Sequence, residues 1–256
     1  MINGIFDSHA HYDDKAFDED RSELLASLQQ KGIAAVVNCA SDLESSRTSL
    51  SLAENYVFIY AACGVHPHEA QEAPSDFIEE LKCFLKKEKC VAVGEIGLDY
   101  HYDFSPRDIQ LEVFEKQLIL AKEFDMPVVI HDREAHEDTF SLLKKYKPKG
   151  VVHCFSGSAE MAKEIIKLGM YIGLGGAITF KNAKKPCEVA AIVPDDRLLI
   201  ETDCPYMTPV PHRGERNSSD YIPFTAEKLA VIRNTDSQSI IDITRRNACE
   251  LFGISL

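Results

Sequence analysis

The chain has 256 residues, 45% of them hydrophobic, with eight cysteines and a formal net charge of −13. That length fits one large core or two modest ones and matches single α/β barrels. The acidic balance argues against a protein that coats nucleic acid by charge, yet leaves room for a local anion pocket. No apolar run approaches the roughly 20 residues needed to span a bilayer. Met1-Ile2-Asn3-Gly4 carries neither the basic nor the apolar region of a signal peptide, so the expectation is a cytoplasmic chain without a membrane partner. The cysteines form no CxxC pair, and Cys39, Cys63, Cys154 and Cys204 lie in apolar runs as small buried side chains.

Eight short apolar runs predict strands at Ile5–His9, Ala34–Ala40, Phe58–Val65, Val91–Gly97, Pro127–His131, Gly150–Phe155, Tyr171–Ala177 and Leu198–Asp203. Rich in Val, Ile, Ala and Cys and without clean polar alternation, they read as strands covered on both faces. Helices are predicted between them near 19–31, 44–55, 75–88, 106–125, 134–146, 158–168 and 184–192, then at 223–233 and 237–252. In the fourth, Ser105 is expected to cap, Pro106 to take the first helical position and Asp108 to complete a capping box. The last is expected to start after Asp236 and stop at Gly253. Eight such units in 256 residues, about 32 residues each, predict a (β/α)8 TIM barrel forming a single domain over 1–256. An open doubly wound sheet is the alternative, but it would not gather eight strand ends around one pocket.

The polar residues sit at the C-terminal ends of these runs. His9 and His11 close the first, His66 the third, Glu95 the fourth, His131 the fifth, His153 the sixth and Asp203 the eighth. In a barrel this face holds the active site. Side-chain alternation puts Asp7, His9 and His11 on one face, likewise Val91, Val93 and Glu95, and Leu199, Glu201 and Asp203. A lone histidine at a strand end is ordinarily a satisfied core residue. Such imidazole and carboxylate groups together on one rim, six of them (His66 aside) offered as ligands, would be costly to bury without a cation. They exceed one tetrahedral ion and suit two divalent ions sharing a carboxylate. His9, His11 and Asp203 with Glu95 are assigned to one ion, and Glu95, His131 and His153 to the other. Asp203 is the candidate general base, while Asp7 and Glu201, one layer deeper, are expected to brace ligand histidines. Zinc, magnesium and manganese all remain open as the metal.

Above this rim the expected substrate contacts are His66, Arg133 and Arg213. The long segment from Cys204 to Ile222 carries His212, Arg213 and Arg216, and loops of that length in a compact domain are usually functional. Arginine suits bidentate contact with phosphate. Lys181, Lys184 and Lys185 add positive charge, or simply solvate a helix start. Tyr100, Tyr102, Phe104 and Tyr206 either stack on bases or cover a loop.

Seven short motifs occur in order: Asp-Ser-His-Ala-His at 7–11, Gly-Val-His-Pro-His at 64–68, Gly-Glu-Ile-Gly-Leu-Asp-Tyr at 94–100, Pro-Val-Val-Ile-His-Asp-Arg at 127–133, His-Cys-Phe-Ser-Gly at 153–157, Glu-Thr-Asp-Cys-Pro-Tyr at 201–206 and Pro-Val-Pro-His-Arg-Gly-Glu-Arg-Asn at 209–217. Together they resemble the TatD family of metal-dependent deoxyribonucleases, among the amidohydrolase-like barrels. The resemblance implies hydrolysis of DNA phosphodiester bonds, as a 3′–5′ exonuclease on single-stranded ends, by water activated between two divalent cations. A monomer is the default state. The competing readings are a hydrolase of small amides, lactones or phosphoesters on the same scaffold, and a protein whose metal is structural, which the absence of a cysteine-rich set disfavours. A Cys154 nucleophile beside His153 fails because adjacent strand residues face opposite ways.

Overall fold

In the computed structural model, which describes residues 2–256, eight parallel strands run in sequential order around a barrel: β1 (Ile5–Ala10), β2 (Ile33–Cys39), β3 (Ile59–Cys63), β4 (Cys90–Asp99), β5 (Val128–Arg133), β6 (Gly150–Val152), β7 (Tyr171–Leu174) and β8 (Leu198–Ile200). The ring closes just past β8. Asp203 N–H donates to His9 O at 3.0 Å and His11 N–H to Cys204 O at 2.8 Å, tying β1 to the segment that leaves β8.

The connections carry α1 (Arg21–Leu28), α2 (Leu43–Asn55), α3 (Phe77–Phe84), α4 (Arg107–Glu123), α5 (His136–Tyr146), α6 (Ala159–Lys167) and α7 (Lys184–Ile192), followed by α8 (Ile222–Arg233) and α9 (Ser237–Phe252). Local chemistry sets several ends. Asp42 and Ser45 form a reciprocal capping box on α2, Ser158 caps α6, and Asp236 accepts from Ser239 N–H to open α9. Gly253, at φ 66°, ends α9 in the left-handed conformation that glycine adopts without a Cβ clash. The capping box expected on α4 does not form. Pro106 lies one residue before the helix, and the Ser105 hydroxyl instead accepts from Gln71 N–H and donates to His68 O.

Two apolar layers fill the molecule. Ile5, Val36, Ile59, Val93, Ile130, Val152, Ile172 and Ile200 face the helices. Phe6, Val37, Val91, Val129, Val151 and Leu199 fill the barrel's lower interior, where Phe252 of α9 stacks on Phe6 with centroids 6.0 Å apart. Residues at the N-terminal ends of the strands thus serve packing, and the opposite ends are free for polar groups. The alternation expected over Val91, Val93 and Glu95 fails, because Val91 faces inward and Val93 outward. A register shift against β3 between Cys90 and Ala92 breaks the parity, a second against β5 between Val93 and Ile96 resets it, and Glu95 sits among the rim histidines.

Strands 6, 7 and 8 end earlier than their apolar runs predict, and β4 runs two residues further. Cys154 at φ 40° and Asp203 at φ 57° turn the chain just beyond β6 and β8. Gly97, at φ 148°, lies so close to β5 that a Cβ there would stand 1.9 Å from His131 O. Among the described residues no helix is long and apolar enough to cross a membrane.

Candidate metal centre

His9 on β1 is fully buried, and its Nε2 lies 3.0 Å from His11 Nε2, 3.3 Å from Glu95 Oε2 and 3.7 Å from Asp203 Oδ1. His11 Nε2 is 3.3 Å from Asp203 Oδ1 and 3.6 Å from Glu95 Oε2. The other Glu95 oxygen, Oε1, faces a second set: His153 Nε2 at 2.8 Å, His131 Nδ1 at 2.9 Å and His66 Nε2 at 3.5 Å. Glu95 therefore stands between two groups of donors, one oxygen toward each. Three overlapping sets have all their ligating atoms within 4.8 Å of one another: His9–Glu95–His153, His9–His11–Asp203 and His66–Glu95–His131. His153 thus bridges toward His9 as well as His131, a grouping less cleanly divided than the sequence suggests.

These separations are those of donors sharing an ion. Metal–ligand bonds of about 2.0–2.2 Å place neighbouring ligands about 2.8–3.6 Å apart at the edges of an octahedron or tetrahedron. The outward-facing nitrogens argue the same way. His11 Nδ1–H donates to Cys39 O at 2.8 Å, leaving the Nε2 lone pair aimed at His9 Nε2. His131 Nε2–H can donate to Asp99 Oδ2 at 3.1 Å, which directs the Nδ1 lone pair at Glu95. His153 Nδ1 is 3.5 Å from Glu201 Oε1, and the buried His9 Nδ1 has no hydrogen-bond partner among the described residues. Lone pairs and carboxylate oxygens so crowded repel one another unless protons or cations lie among them. The donor set of imidazole and carboxylate suits zinc, manganese or magnesium.

In the metal-free protein, protons supply that charge. Burial favours the neutral form of Glu95, but His153, His9 and His66 outweigh it and hold its pKa well below the ordinary range. Burial likewise opposes charge on His11, yet Asp203 and Glu95 raise its pKa to about 9. His153 is raised well above the usual imidazole range by Glu95 and Glu201 against the same burial. His66 behaves differently. Burial dominates and lowers its pKa to about 4, so the ring is neutral near pH 7. Its Nδ1 accepts from His68 N–H at 3.2 Å, which leaves the proton on Nε2. A protonated Nε2 cannot ligate a metal, but it can donate to an anion.

The residues expected to brace the ligands divide. Glu201, fully buried, accepts from Cys154 N–H at 2.5 Å and approaches His153 Nδ1. Asp7 reaches His9 only at its backbone N–H, at 3.3 Å, and not at the ring. Its main partners are the Thr202 and Ser219 hydroxyls at 2.6 and 2.7 Å, so it ties β1 to the final loop. Asp99 was absent from the sequence-based set. Its Oδ2 accepts from His131 Nε2 and, at 2.9 Å, from His68 Nε2. The motif held the signal, since Glu95, Gly97 and Asp99 alternate along one strand.

On the rim, Arg133 and Arg213 are exposed, each with its guanidinium over an aromatic ring: Tyr102 at 4.8 Å and Phe180 at 4.0 Å. Arg21, Arg47, Arg107, Arg216 and Arg233 are each tied to a carboxylate. Among the described residues no carboxylate pairs with Arg133 or Arg213. Lys184 lies 4.0 Å from Glu188.

The model of the family described as TatD related DNase matches residues 6–253. An uncharacterized metal-dependent hydrolase of Bacillus subtilis, YabD, is 43% identical over 254 residues, covering 98% of this chain and all of that protein. The 3′-5′ ssDNA/RNA exonuclease TatD of Citrobacter rodentium is 32% identical over 260 residues, covering 98% of this chain and 99% of its own. The crystal structure of the TatD homolog YjjV from Escherichia coli superposes with a TM-score of 0.93 at 34% identity, each chain covered in full. With its eight-stranded barrel and its rim of imidazoles and carboxylates, the chain belongs to the TatD-related family and is a metal-dependent hydrolase.

Proposed function

We propose that this enzyme removes nucleotides from single-stranded DNA ends in the 3′–5′ direction, using two divalent cations held by His9, His11, Glu95, His131, His153 and Asp203. The observation that carries this reading is the pair of arginines, Arg133 and Arg213, left without carboxylate partners on the rim that bears the metal-ligating cluster. A guanidinium fork matches a phosphodiester, whereas a small amide or lactone has no use for it. The Citrobacter relative, named for 3′-5′ ssDNA/RNA exonuclease activity, supports the same substrate class.

Bound cations would polarise the phosphoryl group, supply the attacking water at neutral pH and stabilise the leaving oxygen. Asp203, more open to solvent than Glu95, accepts the proton of that water. Glu95 holds the two halves of the centre together with one oxygen apiece. The neutral His66 donates its Nε2–H to a non-bridging phosphate oxygen. Arg133 and Arg213 fix the strand. We place this enzyme as a monomer in the cytoplasm, a reducing compartment that suits its eight free cysteines.

The test is digestion of end-labelled single-stranded DNA, with metal supplied and then chelated, beside a panel of small esters and amides. Mononucleotides released from the 3′ end, lost with chelator and restored by metal, are expected. Intact DNA together with rapid turnover of a small ester or lactone would replace this reading with the small-molecule one.

A further inference from the structure

The loop between β4 and α4 holds two large rings open to solvent right beside the centre. Phe104 is 65% exposed and Tyr102 is 48% exposed. They stack with centroids 5.3 Å apart and 26° between planes. Covering such rings is worth on the order of 1.5–3 kcal/mol each, so leaving both largely open forgoes much of that stabilisation. The loop is nonetheless anchored in this position. Asp99 Oδ1 accepts from His101 N–H at 3.0 Å and Tyr102 N–H at 2.8 Å, and Arg107 is ion-paired to Asp103 at 2.8 Å. Tyr102 also carries the unpaired Arg133 guanidinium against its ring, 4.8 Å from the centroid.

A chain of ring contacts leads from this stack to the centre. His68 packs edge-on against Phe104 at 4.8 Å and Tyr102 at 5.5 Å, and against His66 at 4.4 Å. His66 in turn stands 3.5 Å from Glu95 Oε1. The rings thus lie two side chains out from the carboxylate at the middle of the centre, with the Arg133 guanidinium against the Tyr102 ring.

We propose that Phe104 and Tyr102 form a stacking platform for the nucleobase next to the scissile phosphate, with Arg133 taking a phosphate of the same strand. This rests on the nuclease reading and names the substrate's contact with it. Charge complementarity selects the occupant: a flat apolar ring tethered to an anion fits rings flanked by a guanidinium, while an apolar peptide would leave Arg133 unanswered and a second copy of this chain, at a net charge of −13, would be repelled. Stacking accepts any base, so the platform serves a sequence-tolerant enzyme. It also favours single strands, whose bases are free to splay out.

The experiment compares two oligonucleotides with the metal-loaded enzyme, one ending in a normal nucleotide and one ending in an abasic analogue. The wild type is expected to prefer the base-bearing end by about 5- to 150-fold in kcat/KM, the range that base–aromatic stacking supplies. In Phe104→Ala and Phe104→Leu the ratio falls toward one, and in Phe104→Trp it persists. A wild-type ratio near one, or an equal fractional loss on both substrates in the variants, overturns the platform. Should the wild type cleave neither oligonucleotide, the nuclease reading fails and the platform is read by binding. Fluorescence of a 2-aminopurine oligonucleotide, unobscured because the chain has no tryptophan, is then quenched by wild type and not by Phe104→Ala. An absence of quenching by the wild type overturns it.

Discussion

Replacing Arg213 with alanine is expected to lower kcat/KM on single-stranded DNA by about 10-fold while bound metal stays constant. The size follows from what surrounds the side chain. Its guanidinium lies 4.0 Å from the Phe180 ring centroid and has no carboxylate partner among the described residues, so nothing competes with a phosphate for it. Charge-assisted hydrogen bonds are worth about 1.5–3 kcal/mol, or roughly 10- to 150-fold. Because Arg213 is solvent-exposed, screening places the effect at the low end of that range. Arg213→Lys keeps the charge but loses the planar fork and its seat on Phe180, and recovers only part of the loss. Phe180→Ala removes a contact of about 0.5–1 kcal/mol that pre-positions the guanidinium, for a two- to five-fold loss. Initial rates on a labelled oligonucleotide below KM, with metal counted by atomic emission, provide the assay. Unchanged kcat/KM in Arg213→Ala removes this residue from recognition, and lost metal shows that its role is not the one described.

Asp99→Asn should weaken metal binding by about 10- to 100-fold, because Asp99 Oδ2 orients the His131 ring; chelator competition measures this, and wild-type affinity would reduce Asp99 to a loop anchor. In the metal-free protein His11 keeps its proton up to about pH 9, since Asp203 and Glu95 outweigh burial. Metal uptake at pH 7 must displace that proton, so affinity should rise from pH 7 to 9 with protons released on binding. A flat affinity over that interval contradicts the cause given for the shift. Gly97→Ala would force a Cβ to 1.9 Å from His131 O at a φ of 148°, and should destabilise the fold by about 3 kcal/mol or more in urea unfolding. Stability within about 0.5 kcal/mol of wild type would mean that β4 and β5 separate more easily than their packing implies.

The barrel was legible because its strands are covered on both faces, which writes them as apolar runs, and because α9 opens at the Asp236 and ends at the Gly253 that its sequence announces. Position within a strand was less so. Parity cannot anticipate the register shift against β3 between Cys90 and Ala92, so Val93 turns out to face the helices, not the interior. Asp99 was passed over because Gly97 read as the end of β4, whereas the strand continues and pairs Leu98 and Asp99 with Asp132 and Arg133. That imidazoles and carboxylates gather at the strand ends was readable from the sequence. What each ring's second nitrogen meets was not, since Cys39 O beside His11 and the His68 N–H beside His66 are backbone partners with no residue-type signature.

The central claim is spatial: two cations sit on either side of Glu95. Anomalous diffraction from manganese- or zinc-soaked crystals tests it most directly. Two peaks are predicted, one in reach of Glu95 Oε2, His9, His11 and Asp203, the other in reach of Glu95 Oε1, His131 and His153. A single peak, or peaks beyond coordination distance of Glu95, would contradict it.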